Sequence, residues 1–182
     1  MQIQAKPTAY NGYLFRSKLE AKWAVFFDML HIPYVYEPEA FVCFDGSQYT
    51  PDFYLPKSYL RDRNAKGVYL EIKPDYWQDE TNFKRRIESA FFEKANLLLL
   101  RGDPLFFIQR DGNQEEICPH TDSEIDLMHC EKCGVLKFDH AHTRAYRCVV
   151  CGGEVNGLMP DIAAETARSY SFRYIKATHA KH

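Results

Sequence analysis

The chain has 182 residues, a formal net charge of −2, 46% hydrophobic and 15% aromatic content, which suits one ordinary domain with a small attachment and argues against disorder. A charge this close to zero excludes nucleic-acid binding by a uniformly basic surface, though not by a local basic groove beside an acidic site. No apolar run approaches the ~20 residues of a membrane span, and the first residues have no apolar signal region, so an intracellular protein without a membrane partner is expected.

Residues 1–15 contain Pro7, Asn11 and Gly12 and read as an irregular lead-in. Leu19, Trp23, Phe26, Phe27 and Leu30 then recur at helical spacing, which predicts an amphipathic helix from Ser17 to Leu30, ended before Pro33. Ser17 and Glu20 fit a capping box, in which both side chains satisfy the first free N–H groups. Glu20 also lies ~100° from Leu19, at the edge of the apolar stripe, where its carboxylate could face a cleft. Residues 34–44 alternate and are rich in Tyr, Val and Phe; Asp45-Gly46-Ser47 is a turn signal; Gln48 to Leu55 reads as a second strand. A hairpin is expected. Pro51 cannot donate to a ladder and favours a bend, which puts Asp52 where strands are re-aimed; the plain alternative is an ordinary turn aspartate. Residues 56–67 form a polar loop.

Val68 to Lys73 is a strand closed by Pro74. Val68, Leu70 and Ile72 share its apolar face, and Tyr69, Glu71 and Lys73 share the other. Glu71 and Lys73 stand about 6.6 Å apart along it at ~3.3 Å per residue. Alone, they describe a solvated ion pair. Thr81 can cap a helix running through Ala95, with Phe83, Ile87, Ala90 and Phe91 inward. Asn96 to Leu100 is apolar on both faces, as in a buried strand. Strand, helix and strand predict a right-handed crossover with the two strands parallel. Leu105 to Gln109 is a further expected strand. The class is α/β, with helices on a mixed sheet.

Residues 120–129 are acidic and polar and read as a boundary. Cys130-x-x-Cys133-Gly134 and Cys148-x-x-Cys151-Gly152 are near-copies of one knuckle, with fourteen residues between them. Six cysteines in an intracellular chain point away from disulfides, and four at this spacing point to zinc. His129, His140 and His142 could substitute as ligands, but four thiolates already close a tetrahedron, so the zinc is structural rather than catalytic. Cys43 and Cys118 read as ordinary thiols. The expected division is 1–119 for the main domain, 120–160 for the ribbon and 161–182 for a helical, basic extension carrying Arg168, Arg173 and Lys176.

The carboxylates carry the chemistry. Asp52 ends one strand, Glu71 lies on the next with Lys73 on the same face, and Glu20 comes from a helix that must pack on that sheet. Gathered carboxylates repel unless a cation binds, and hard oxygen ligands suit Mg²⁺ or Mn²⁺. The order of Glu20, Pro51-Asp52 and Glu71-Ile72-Lys73 resembles the PD-(D/E)XK nuclease superfamily. Phe15-Arg16-Ser17-Lys18-Leu19-Glu20, Tyr36-Glu37-Pro38-Glu39 and Tyr49-Thr50-Pro51-Asp52-Phe53 are similar to small phage and mobile-element nucleases and to the catalytic domain of TnsA-like transposon endonucleases. The resemblance covers roughly residues 12–110. It implies a restriction-endonuclease-like αβββαβ core and a metal-dependent DNA endonuclease. It also implies Glu20, Asp52, Glu71 and the Ile72 carbonyl as Mg²⁺ ligands, Lys73 as the catalytic lysine, and a loose match of Lys84 to a DNA contact. The ribbon lies outside the pattern and could bind DNA, support the core, or join a second copy or a partner protein. The competing readings are a noncatalytic DNA-binding or assembly module on a nuclease fold, and an RNA-directed nuclease.

Overall fold

The computed structural model describes residues 5–60, 67–91, 97–104, 125–130, 132–140, 147–148, 150–157, 166–167 and 170–172. The stretch expected to be an irregular lead-in is instead a hairpin of β1 (Thr8–Tyr10) and β2 (Tyr13–Phe15). Its cause is Asn11-Gly12, with φ of 45° and 82°. Two consecutive positive φ values make the tight turn whose twist matches antiparallel strands. Helix α1 (Lys18–Met29) follows, capped by Ser17, whose hydroxyl accepts the Glu20 N–H at 3.1 Å.

The expected hairpin of residues 34–55 is broken in two. β3 (Val35–Tyr36) pairs with β6 (Phe53–Leu55), whereas β4 (Phe41–Val42) pairs with β5 (Gln48–Tyr49) in a separate two-stranded ladder. The breaks fall at Glu37-Pro38 and Thr50-Pro51. Neither proline can donate to a ladder, and Glu37 takes a positive φ of 46°. The expected loop 56–67 also contains a strand, β7 (Ser58–Leu60). Next come β8 (Val68–Lys73), α2 (Glu80–Phe91) and β9 (Leu97–Arg101). β8 is antiparallel to β6 and parallel to β9, giving one mixed four-stranded sheet in the order β3-β6-β8-β9. The parallel pairing is the one expected from the crossover. Residues 92–96 and the strand expected at Leu105 to Gln109 lie outside the described residues.

The sheet separates two apolar clusters. On one side Trp23, Phe26 and Phe27 of α1 pack on Phe53, Leu55, Val68, Leu70, Ile72, Leu98 and Leu100. Phe27 meets Phe53 edge-on at 5.3 Å. On the other side Phe83 and Ile87 of α2 pack with Cys43, Tyr49, Leu97 and Leu99. β9 thus supplies alternate leucines to both layers, as a doubly covered strand must. Each fully buried Leu or Phe contributes roughly 1.5–3 kcal/mol. β8 is different: Val68, Leu70 and Ile72 join the α1 layer, but Glu71 and Lys73 face the α2 layer, where the apolar lining is replaced by polar groups.

The cysteine region builds a second sheet. β10 (Ile125–Cys130) pairs antiparallel with β11 (Leu136–His140) and with β12 (Val155–Gly157). The stretch read as a boundary therefore already contains β10. β11 also pairs in parallel with β7, so this sheet runs β12-β10-β11-β7 and includes a strand only two residues beyond β6. Of the tail, Thr166 and Ala167 are helical, and Ala167 and Phe172 are buried in the α1 cluster. Arg168, Arg173 and Lys176 lie outside the described residues. Among the described residues no helix is long and apolar enough to cross a membrane.

Candidate active site

Three carboxylates, buried to within 7% exposure, meet one cleft of ≈ 570 Å³: Glu20, Asp52 and Glu71. Lys73, Arg16 and Arg86 also line it, with Tyr49, Trp77 and Phe83. Each group arrives by a separate local cause. Glu20 is fixed by the start of α1. Its Oε1 accepts the Ser17 hydroxyl at 2.7 Å, and its Oε2 accepts the Tyr36 O–H at 2.6 Å and the Arg16 N–H at 3.1 Å. Ser17 therefore supplies its half of the expected capping box, while the Glu20 carboxylate takes the Ser17 hydroxyl and the Arg16 N–H in place of the Ser17 N–H and lines the cleft.

Asp52 sits at the second break in the strands, just before β6. Its backbone oxygen accepts the Glu37 N–H at 2.9 Å, which pins the two breaks against each other. Its Oδ2 accepts the Ile72 N–H at 2.7 Å, and its Oδ1 accepts from Arg16 Nη2 at 2.6 Å. Burial raises its carboxyl well above the usual range, and the neighbouring carboxylates of Glu71 and Glu20 push the same way; the Ile72 N–H and Lys73 pull it down without prevailing. Glu71 projects from β8 and accepts the Tyr49 O–H at 2.5 Å, while its other oxygen pairs with Lys73. Burial, then the Glu71 charge and hydrogen bond, keep the Tyr49 phenol protonated and donating.

Lys73 is held on a second side by aromatic rings. Its Nζ lies 5.6 Å from the Trp77 centroid and 5.3 Å from that of Phe83. Ring faces attract an ammonium at this range. The Lys73 Nζ is thus held between a carboxylate and two ring faces.

Glu20, Asp52, Glu71 and Lys73 are thus all brought to one cleft. Among the described residues the three carboxylates are not gathered as the four cysteines are, and their oxygens accept hydrogen bonds from Arg16, Ser17, Tyr36, Tyr49 and the Ile72 N–H. Their chemistry still fits a hard divalent ion. Each ionised carboxyl offers about four lone-pair sites, and two or three like charges out of water call for a cation. Sequence reasoning missed Arg16, Tyr36, Tyr49, Trp77 and Phe83 as members of the site. Arg16 and Tyr49 flank Ser17 and Pro51-Asp52 in sequence, which was the available signal; Trp77 and Phe83 have none beyond lying shortly after Lys73. The side chain of Lys84 lies outside the described residues.

The four cysteines are positioned to hold a metal ion such as Zn²⁺: their sulfurs all lie within 4.8 Å of one another. Cys130 and Cys151 are 3.5 Å apart and Cys133 and Cys148 3.6 Å. A Zn–S bond of about 2.3 Å in a tetrahedron requires sulfurs ~3.8 Å apart. Gly134 and Gly152, at φ of 70° and 68°, turn each knuckle so that their N–H groups reach Cys130 O and Cys148 O at 2.8 Å. Desolvation opposes ionisation of Cys130, but N–H groups and thiols around it lower it to about 7; desolvation and the neighbouring thiols push Cys133 up to about 12. Bare thiols so close share protons poorly, which a cation relieves. The side chains of His129 and His140, and all of Cys118 and His142, lie outside the described residues. Cys43 is a buried core thiol.

The chain matches no known protein family, no curated protein and no solved structure.

Proposed function

We propose that this is a PD-(D/E)XK-type nuclease, a Mg²⁺- or Mn²⁺-dependent endonuclease that hydrolyses DNA phosphodiesters with water. The observation that carries the reading is the meeting of buried Asp52 and Glu71 with Glu20 and Lys73 in one open cleft. The order α1, β3, β6, β8, α2, β9, with those strands adjacent in one mixed sheet, supports a restriction-endonuclease-like core.

Glu20, Asp52, Glu71 and the Ile72 carbonyl would hold the catalytic ion. Such an ion polarises a phosphoryl oxygen and lowers the pKa of bound water. The chain's own groups do the rest. Tyr49 and the Ile72 N–H hold Glu71 and Asp52 in place, so their lone pairs need not reorganise as charge develops. Lys73 orients the attacking water and places a positive charge beside the nonbridging phosphate oxygens. Its contacts with the Trp77 and Phe83 rings hold its Nζ in the cleft. The four-cysteine cluster would carry a structural Zn²⁺, since four thiolates leave no open position.

The test is nicking of supercoiled plasmid with Mg²⁺, against EDTA and against Lys73→Ala. Wild type should nick only with the ion, and Lys73→Ala should be slower by about 10²–10³-fold, the loss typical of one transition-state donor. DNA bound but never cut, across metals and substrates, would leave the noncatalytic module as the better account. Cutting of labelled RNA in preference to DNA would reassign the substrate.

A further inference from the structure

Arg16 has a place in the cleft that the hydrolytic chemistry leaves unused. Its backbone is immobilised: the N–H donates to Glu20 Oε2 at 3.1 Å and to the Tyr36 oxygen at 2.9 Å. Its side chain is 54% exposed, yet its tip spans two carboxylates. Nη2 meets Asp52 Oδ1 at 2.6 Å, and Nε meets Glu37 Oε1 at 2.7 Å. The two partners differ. Asp52 is buried in the cleft, whereas Glu37 has its side chain 38% exposed. Glu37 holds that position with a positive φ, which L-residues disfavour, and its N–H is tied to the Asp52 carbonyl.

Asp52 Oδ2 already serves the Ile72 N–H. Oδ1 accepts from Arg16, so a divalent ion that takes Oδ1 meets the guanidinium there. Two cations on one oxygen repel, and the doubly charged one is held more strongly by Glu20, Asp52 and Glu71 together. A guanidinium displaced from Asp52 keeps its Glu37 partner, so its tip remains at the mouth of the cleft. Its planar fork then matches a phosphate, which it can grip with two parallel N–H bonds.

We propose that Arg16 is a cation latch: it neutralises Asp52 in the metal-free protein and, once displaced, binds a backbone phosphate of the nucleic acid while tethered to Glu37. This rests on the nuclease reading, and it deepens that reading by naming a substrate contact and a reason the unloaded site tolerates its buried charge. The latch opposes metal binding and favours nucleic-acid binding, two effects of opposite sign from one side chain. A merely structural arginine would weaken both when removed.

The test uses the full zinc-loaded chain. Mn²⁺ binding without DNA is measured by calorimetry for wild type, Arg16→Gln, Arg16→Lys and Asp52→Asn. DNA binding is measured by anisotropy of a labelled duplex in Ca²⁺ at several salt concentrations. Arg16→Gln should bind Mn²⁺ at least about threefold tighter, yet bind DNA more weakly, with the log–log salt slope shallower by about 0.9, one phosphate contact on duplex. Arg16→Lys, which keeps a charge but not the fork, should fall between. Mn²⁺ affinity unchanged or weakened in Arg16→Gln, or an unchanged salt slope, overturns the latch. If Asp52→Asn abolishes Mn²⁺ binding while Arg16→Gln fails to tighten it, only the latch falls; if wild type, Arg16→Gln and Asp52→Asn all bind no Mn²⁺, the nuclease reading falls and takes the latch with it. Should Arg16→Gln lose its native circular dichroism, Glu37→Gln carries the test. Without the tether, the salt slope should drop while Mn²⁺ affinity stays within about threefold; an unchanged slope overturns the latch.

Discussion

Asp52→Asn is the sharpest probe of the cleft, because it removes a charge while keeping shape. The amide oxygen can still accept the Ile72 N–H, now 2.7 Å from Oδ2, so the strand should keep its geometry. What disappears is one of two carboxylates that are each only 3% exposed. If the site binds a divalent ion, saturating it at 100 times its dissociation constant stabilises wild type by about 2.7 kcal/mol. For a chain of this size that is a rise of about 5–11 °C in Tm, at roughly 2–4 °C per kcal/mol. Asp52→Asn should gain under about 2 °C at the same Mg²⁺ concentration, a predicted loss of most of that linkage. The pH dependence has a definite sign. Asp52 is raised in the folded protein, so the folded state keeps a proton that the unfolded chain, near its ordinary ~3.9, has lost. The unfolded state binds fewer protons in that window, and metal-free wild type therefore loses stability as pH rises from ~3.9 through the folded value. Asp52→Asn should lack that loss. Thermal unfolding by calorimetry, with and without Mg²⁺ across pH, checks both. Equal Mg²⁺ gains in the two proteins, together with parallel pH curves, would refute the placement of a cation site at Asp52.

Tyr49→Phe removes only the O–H that Glu71 accepts; divalent-ion affinity should fall by about 10–100-fold, the usual effect of losing a ligand's supporting hydrogen bond, with the fold intact by circular dichroism. One zinc per chain should be found by elemental analysis, and Cys148→Ser should abolish it. Zinc removal should raise hydrogen exchange at residues 136–138 and also at 58–60, because β7 pairs with β11; unchanged exchange at 58–60 would show that β7 does not depend on the bound metal. Gly153→Ala should weaken zinc retention in a chelator competition, since a Cβ there would sit 2.9 Å from Lys132 Cβ and 3.3 Å from the sulfurs of Cys130 and Cys151.

The parts of the fold that could be read in advance are those with local causes. The helix at Leu19, Trp23 and Phe26 is visible because apolar spacing and the Ser17 cap agree. The β8 face is visible because alternation separates Leu70 from Glu71. The Asn11-Gly12 hairpin was legible too, but its strands are three residues each, too short for alternation to register against Pro7. β7 was not legible. Ser58, Tyr59 and Leu60 form a strand because β11 lies alongside, some 78 residues on in the chain, and a partner so distant leaves no local trace. The site followed the same division. Asp52, Glu71 and Lys73 sit in patterned positions, whereas Trp77 and Phe83 reach Lys73 only through the turn that follows Pro74.

The two breaks in the strands act together. Pro38 and Pro51 each interrupt the same antiparallel run. The Glu37 N–H donates to the Asp52 oxygen, one step beyond the Tyr36–Phe53 pair, and the ladder stops there. That single bond sets the Glu37 and Asp52 side chains close enough for one arginine to bridge both. The same arginine precedes the cap of α1, and its N–H also holds Glu20. A helix start and two proline breaks thus converge through backbone bonds, before any carboxylate is asked to bind a cation. Such an arrangement predicts that Pro51→Ala, which permits a continuous ladder, should disturb Asp52 more than it disturbs the core. Its measurable sign is loss of divalent-ion binding with a single cooperative unfolding transition retained, at an expected stability cost of about 0.5–3 kcal/mol because Pro51 is fully buried. Retention of ion affinity would mean that the break at Pro51 does not position the carboxylate.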